Sequence, residues 1–131
     1  MNTLEIRSRM REELIDLTGE VGRAVAASGV QDGLCLVFVP HTTAAVTINE
    51  NADPDVKADI LTALRKVVPD ALPYEHAEGN SPAHVKSSLV GSSVAVIVAD
   101  GRLQLGTWQG ICFCEFDGPR SRQVWVHVAG N

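Results

Sequence analysis

The sequence predicts an α+β fold, with a mainly antiparallel, β-sandwich-like core and two helices packed to one side, in a single domain spanning residues 1–131. Three observations lead there. About six to eight short segments read as strands, either alternating or apolar throughout. Several are joined by tight turns, among them Asp100-Gly101, and this favours antiparallel pairing. Two stretches carry helix boundaries and helical spacing.

TLEIRS, residues 3–8, alternates and reads as a strand, and ELIDLT at 13–18 allows a second short one. A helix is expected from Thr18, a good N-cap, to Gly29, a good terminator. GLCLVFVP at 33–40 is apolar on both faces, which marks a central strand stopped by Pro40. AAVTINE at 44–50 alternates again. Asp53 is an N-cap residue, and Pro54 suits the first helical position, where its missing N–H costs nothing. Val56, Ile60, Leu64 and Val67 then form a stripe at helical spacing, up to Pro69. Residues 70–92 hold prolines, glycines, serines and two histidines, and read as a long loop with at most a turn of helix. SVAVIVA (93–99), RLQLG, QGICFCEF (109–116) and QVWVHVA (123–129) complete the strands. There is no internal repeat and no low-complexity segment.

A chain of 131 residues buries about two-thirds of its unfolded surface, enough for a core without disulfides or metal staples. It is 45% hydrophobic and 21% charged, and its net charge of −5 argues against nucleic-acid or acidic-membrane binding. No apolar run approaches the ~20 residues needed to cross a bilayer. MNTLEIRSRMREEL has no signal-peptide core, so a cytoplasmic protein without a membrane partner is expected. Cys35, Cys112 and Cys114 lie in strand-like runs and read as buried free thiols.

Polar chemistry gathers in three places: HTT…NEN at 41–51, HAEGNSPAH at 76–84, and GTWQ…EFDGPR at 106–120. Each begins or ends an apolar run, so all three can converge on one end of the sheet. His41, His76 and His84 are candidate ligands for a divalent metal such as zinc or magnesium. The seven-residue gap between His76 and His84 is not a helical pair, and each histidine alone reads first as a structural or surface residue; it is their occurrence together with Glu-Gly-Asn and Asp-Gly-Pro-Arg that favours a site. His127, inside VWVHV on the face of Trp125, reads as a core-edge or interface residue. Arg120 and Lys86 suit phosphate, the one as a two-pronged donor and the other as a point charge. Thr42, Thr43, Asn80 and Ser81 add neutral donors, and Trp108 and Gln109 suit a planar ring. Asp117 and Glu78 are the candidate acid/base groups.

HTTAAVTINENADPDV, HAEGNSPAH, LGTWQ and EFDGPRSR, in this order from about Glu5 to Val128, resemble the YjbQ-like family, described as secondary thiamine-phosphate synthases. The resemblance implies a compact α+β fold and a homotrimer with sites near subunit boundaries. It implies a weak synthase activity joining hydroxymethylpyrimidine diphosphate to thiazole phosphate with release of pyrophosphate. Its site residues, carried onto this chain, are His41, His76, His84, Glu78, Asn80 and Asp117, with Arg120 beside them. Two other readings stay open: a metal-dependent hydrolase of a small phosphorylated substrate, and a non-catalytic trimer that binds a small ligand.

Overall fold

The computed structural model describes residues 1–131. In chain order the elements are β1 (Asn2–Arg7), β2 (Glu13–Asp16), α1 (Thr18–Ser28), β3 (Gly33–Phe38), β4 (Ala44–Glu50), α2 (Pro54–Val67), α3 (Ser81–Val90), β5 (Ser93–Ala99), β6 (Arg102–Leu103), β7 (Gln109–Glu115) and β8 (Ser121–Gly130). The strands form a five-stranded sheet, ordered β1-β8-β3-β5-β6, and a three-stranded sheet, ordered β2-β7-β4. Every pairing is antiparallel. No helix is long and apolar enough to cross a membrane.

The two sheets face each other over one core. Cys35, Val37, Val96, Val98, Val124 and Val126 come from the larger sheet, and Val46, Ile111 and Phe113 from the smaller. α1 adds Val21, Ala24 and Val25. It ends as expected at Gly29, whose φ of 74° is left-handed. Its start differs: Leu17 caps the helix, and Thr18 Oγ1 accepts the Ile111 N–H at 2.9 Å, tying the helix to β7.

The far face of the three-stranded sheet is covered by helices, with Ala45 and Cys114 packed against Leu61 of α2 and Ala83 of α3. β7 is therefore buried on both faces from Gly110 to Glu115. All three cysteines are buried and free, and burial pushes the Cys114 thiol up to about 12.

Three expectations need correction. There are three helices, because Ser81–Val90, expected within a loop, forms α3. The inward face of α3 is Pro82, Ala83, Lys86 and Ser87, small and polar residues that write no apolar stripe into the sequence. In α2, Asp53 caps as expected, accepting the Asp55 N–H at 2.9 Å, and Val56, Ile60 and Leu64 are partly buried, but the fully buried residue of the helix is Leu61, with Val68 buried at its C-cap. Val67, assigned to the same stripe as Val56, Ile60 and Leu64, is 69% exposed. Finally, β3 is central by pairing, yet only Cys35 and Val37 are covered, while Leu34 and Leu36 are exposed.

Phe113 is fully buried between the sheets. Phe113→Ala is expected to cost about 3–5 kcal/mol. Urea denaturation checks this: the midpoint falls, and an unchanged m-value locates the loss in packing.

Candidate functional site

The site lies where β7 ends, β8 begins and the 39–43 segment enters β4. Glu115 keeps the inward parity of Ile111 and Phe113, so the strand drives a carboxylate into the space between the sheets. Arg122 shares the inward parity of Val124 and Val126 and meets it from the other sheet. Arg122 Nε donates to Glu115 Oε1 at 2.9 Å and Nη2 to Oε2 at 2.5 Å. Ser8 Oγ donates to Oε1 at 2.7 Å, and the Asp117 N–H donates to Oε2 at 3.1 Å. Burial alone would raise the Glu115 pKa; the hydrogen bonds from Arg122, Ser8 and the Asp117 amide outweigh it and hold the carboxyl below its usual range.

This pair fixes the residues around it. Arg122 Nη2 also donates to Thr43 Oγ1 at 2.9 Å, which pins the turn carrying His41, Thr42 and Thr43. The Arg120 N–H donates to Ser8 Oγ at 2.8 Å. Asp117 then stands beyond the strand, before the cis Gly118-Pro119 bond. Its Oδ2 accepts Arg120 Nη2 at 2.8 Å and Asn80 Nδ2 at 2.9 Å, so one carboxylate joins the β7–β8 turn to the start of α3. That geometry fixes the Asn80 amide: flipping it would set two oxygens against each other. Asn80 Oδ1 is left buried with no partner.

The result is a two-lobed polar cleft. One lobe, about 350 Å³, is lined by His41, Thr42, Thr43, Glu78, Asn80, His84, Arg120, Arg122 and Pro40. The other, about 380 Å³, shares His41, Thr42 and His84 and continues along Ser87, Ser88 and Ser92. His41 Nε2 accepts the Gln123 N–H at 2.9 Å, so the neutral ring carries its proton on Nδ1. Burial and the Arg122 charge lower the His41 pKa, against smaller raising effects of the Gln123 bond and Glu115.

His76 and His84 meet edge to face with centroids 5.4 Å apart, and His76 Nε2 lies 3.7 Å from Glu78 Oε2. His41 shares the cleft with His84 alone. No three His, Cys, Asp or Glu side chains come together in an arrangement able to hold a metal ion.

Four candidates lie elsewhere. Lys86 is buried and donates to Glu12 Oε2 at 2.8 Å, so its charge is committed beneath α3 and does not reach the cleft. Trp108 and Gln109 sit at the opposite end of the three-stranded sheet, where Gln109 pairs with Glu50 while Glu115 pairs with Ala44. Six residues of strand separate the two ends by about 20 Å. Ser81 is the first residue of α3, beside Asn80 but outside the cleft lining. Glu115, Arg122 and Ser8 were missed. A signal for the first two existed: each is a charge at a parity otherwise filled by Ile, Phe or Val.

A family model described as "UPF0047 protein YjbQ-like" matches residues 2–131. A UPF0047 protein of Methanocaldococcus jannaschii is 52% identical over 127 residues, covering 97% of this chain and 92% of that protein. YugU of Bacillus subtilis is 52% identical over 131 residues, 99% of each. A crystal structure of a YjbQ/UPF0047 protein from Clostridium acetobutylicum superposes with a TM-score of 0.97 at 53% identity, covering 98% of this chain and 100% of that one. A YbjQ-like protein of unknown function from Sulfolobus solfataricus gives 0.96 at 33% identity, with 99% and 96% covered.

Folded His41 binds its proton less tightly than an unfolded histidine. Its imidazole is expected to titrate below the ordinary value of 6.5. The stability linked to it is complete above that pH and is lost as pH falls below it. An NMR titration of the His41 ring checks this; a midpoint at or above 6.5 rejects the assigned environment.

Proposed function

The chain belongs to the UPF0047 family of YjbQ-like proteins, and on that premise we propose a thiamine-phosphate-synthase-like transferase acting on a small phosphorylated substrate. The thiazole nitrogen forms a bond to the methylene carbon of the hydroxymethylpyrimidine. The bond from that carbon to the diphosphate oxygen breaks, and pyrophosphate leaves with the electron pair. The observation that carries the reading is the cleft lining, polar apart from Pro40 in the arginine lobe. Such a lining suits an anion and a polar heterocycle better than an apolar ligand.

Arg120 supplies charge to the departing pyrophosphate, with Thr42 and Thr43 at the same mouth. Asp117 is not itself part of the cleft lining; it holds Arg120 and Asn80, which are, with one oxygen, and we assign its Oδ1 to accept from a substrate N–H. Glu78 lines the arginine lobe at its rim, largely exposed. Magnesium arriving with a diphosphate needs only one or two protein carboxylates, and Glu78 is the carboxylate in the cleft lining. The zinc reading would require the three histidines to share one point.

The assay supplies both substrates and follows pyrophosphate release, turnover and melting temperature together. Asp117→Asn is expected to lose about 10²–10⁴-fold in turnover if Asp117 is an acid/base group. Arg120→Ala is expected to raise KM for the diphosphate. Ligand binding without turnover in the parent protein identifies a binding module instead, and phosphate release from one substrate alone identifies a hydrolase.

We also propose a homotrimer. The outer face of the five-stranded sheet presents Leu34, Leu36 and Ile97, which are 53%, 43% and 62% exposed, beside half-buried Phe38 and Trp125. An apolar sheet face of this kind favours burial against another copy. Gln123 on that face donates its N–H to His41, so the face adjoins the cleft. Sedimentation equilibrium at micromolar concentration is expected to give three times the 14.0 kDa chain mass; a monomer rejects the proposal.

A further inference from the structure

The guanidinium of Arg122 is 4% exposed, and two of its three nitrogens are fully engaged with Glu115 and Thr43. The third, Nη1, donates to no protein acceptor. It is not sealed in either: the only fully buried side-chain nitrogen or oxygen without a partner is Asn80 Oδ1, and Arg122 lines the arginine lobe. A buried guanidinium with two open N–H donors is costly unless something in the cleft accepts them.

The donors around it point the same way. Arg120 uses Nε and Nη2 on Asp117 and leaves its own Nη1 open. The Thr42 hydroxyl has no partner in the chain and lines the same lobe. His41 Nε2 is occupied as an acceptor, which makes its other nitrogen a donor. Four neighbouring donors thus lack acceptors. Each arginine is already paired with a carboxylate, so the lobe binds through directed hydrogen bonds more than through net charge.

We propose that Arg122 is the anchor of an oxyanion site that takes the terminal phosphoryl group of the ligand, with Arg120 as the second, more exposed clamp. The inference rests on the reading that the ligand is phosphorylated, and adds which residue determines that specificity. Arg122 Nη1 donates to a phosphoryl oxygen from the buried side; Arg120 Nη1 and the Thr42 hydroxyl close from the rim. The organic part of the ligand then lies in the second lobe, against Ser88 and Ser92, an uncharged polar wall suited to a neutral, hydrogen-bonding skeleton.

The experiment titrates inorganic pyrophosphate into the full-length protein carrying ¹⁵N-labelled arginine, and repeats the titration on Arg122→Lys. Lysine preserves the charge opposite Glu115 and removes the fork. The expected result is movement of the Arg122 side-chain resonances in the parent protein and a loss of roughly 10–100-fold in affinity in the variant, as for a hydrogen bond to a charged group. Binding to the parent protein with Arg122 resonances unmoved overturns the anchor and leaves the phosphorylated-ligand reading standing. Binding of neither pyrophosphate nor inorganic phosphate by the parent protein overturns that reading and the anchor with it. If Arg122→Lys fails to fold, the parent resonances alone decide.

Discussion

The ion pair between Glu115 and Arg122 holds this end of the molecule together, because its two charges come from different sheets. Glu115 belongs to the three-stranded sheet and Arg122 to the five-stranded one. Taking both out of water is expensive, and their attraction offsets that only with good geometry and satisfied remaining lone pairs. Both conditions are met: the guanidinium engages both carboxylate oxygens, and Ser8 and the Asp117 amide take further lone pairs. A pair of hydrophobic residues would close the sandwich as well. It would not hold Thr43, Asp117 and Ser8, and through them the cleft, in one arrangement.

The cleft inherits its layout from that constraint. The His41–Thr43 turn is pinned from below by Arg122, the β7–β8 turn by Glu115 and Ser8, and the start of α3 by Asp117 through Asn80. Three segments far apart in sequence therefore meet with fixed side chains. Rigid sheets support the lower side, while Glu78 and the guanidinium of Arg120 remain at the exposed rim. The two arginines thus stand at different depths, Arg122 buried between the sheets and Arg120 half-exposed at the rim.

Much of this was legible in the sequence where local chemistry and long-range packing agree. Asp53-Pro54 starts a helix in the structure because a capping carboxylate and a fixed φ act locally. The Asp100-Gly101 hairpin forms because both residues tolerate positive φ. α3 was not legible. Its buried side is Ala, Ser, Pro and a lysine satisfied by Glu12, 74 positions away, and no periodicity encodes such a partner. The same long reach explains Lys86, which looks like a phosphate ligand until Glu12 is placed beneath it. Trp108 and Gln109 lie away from the cleft for another reason. They flank one end of β7 while Asp117 follows the other, and strand length alone puts them apart. Of the cleft lining, the turn at 41–43, Asn80 and Arg120 were singled out from the sequence, and Asp117 stands behind them. Arg122 was the residue to find, a charge where the strand pattern demands an apolar side chain.

The three buried thiols carry a consequence for how the molecule's opening can be followed. A thiol reacts as the thiolate, and burial raises the pKa of Cys35, Cys112 and Cys114 alike. Each is both hidden and protonated while the sandwich is shut. Cys35 belongs to the larger sheet, whereas Cys112 and Cys114 face the helical layer on the smaller. Alkylation is thus a clock with two hands: one advances when the five-stranded sheet loosens, the other when α2 and α3 lift away. Hands that move together describe a molecule that opens as one unit, and hands that move separately describe a helical layer with a life of its own.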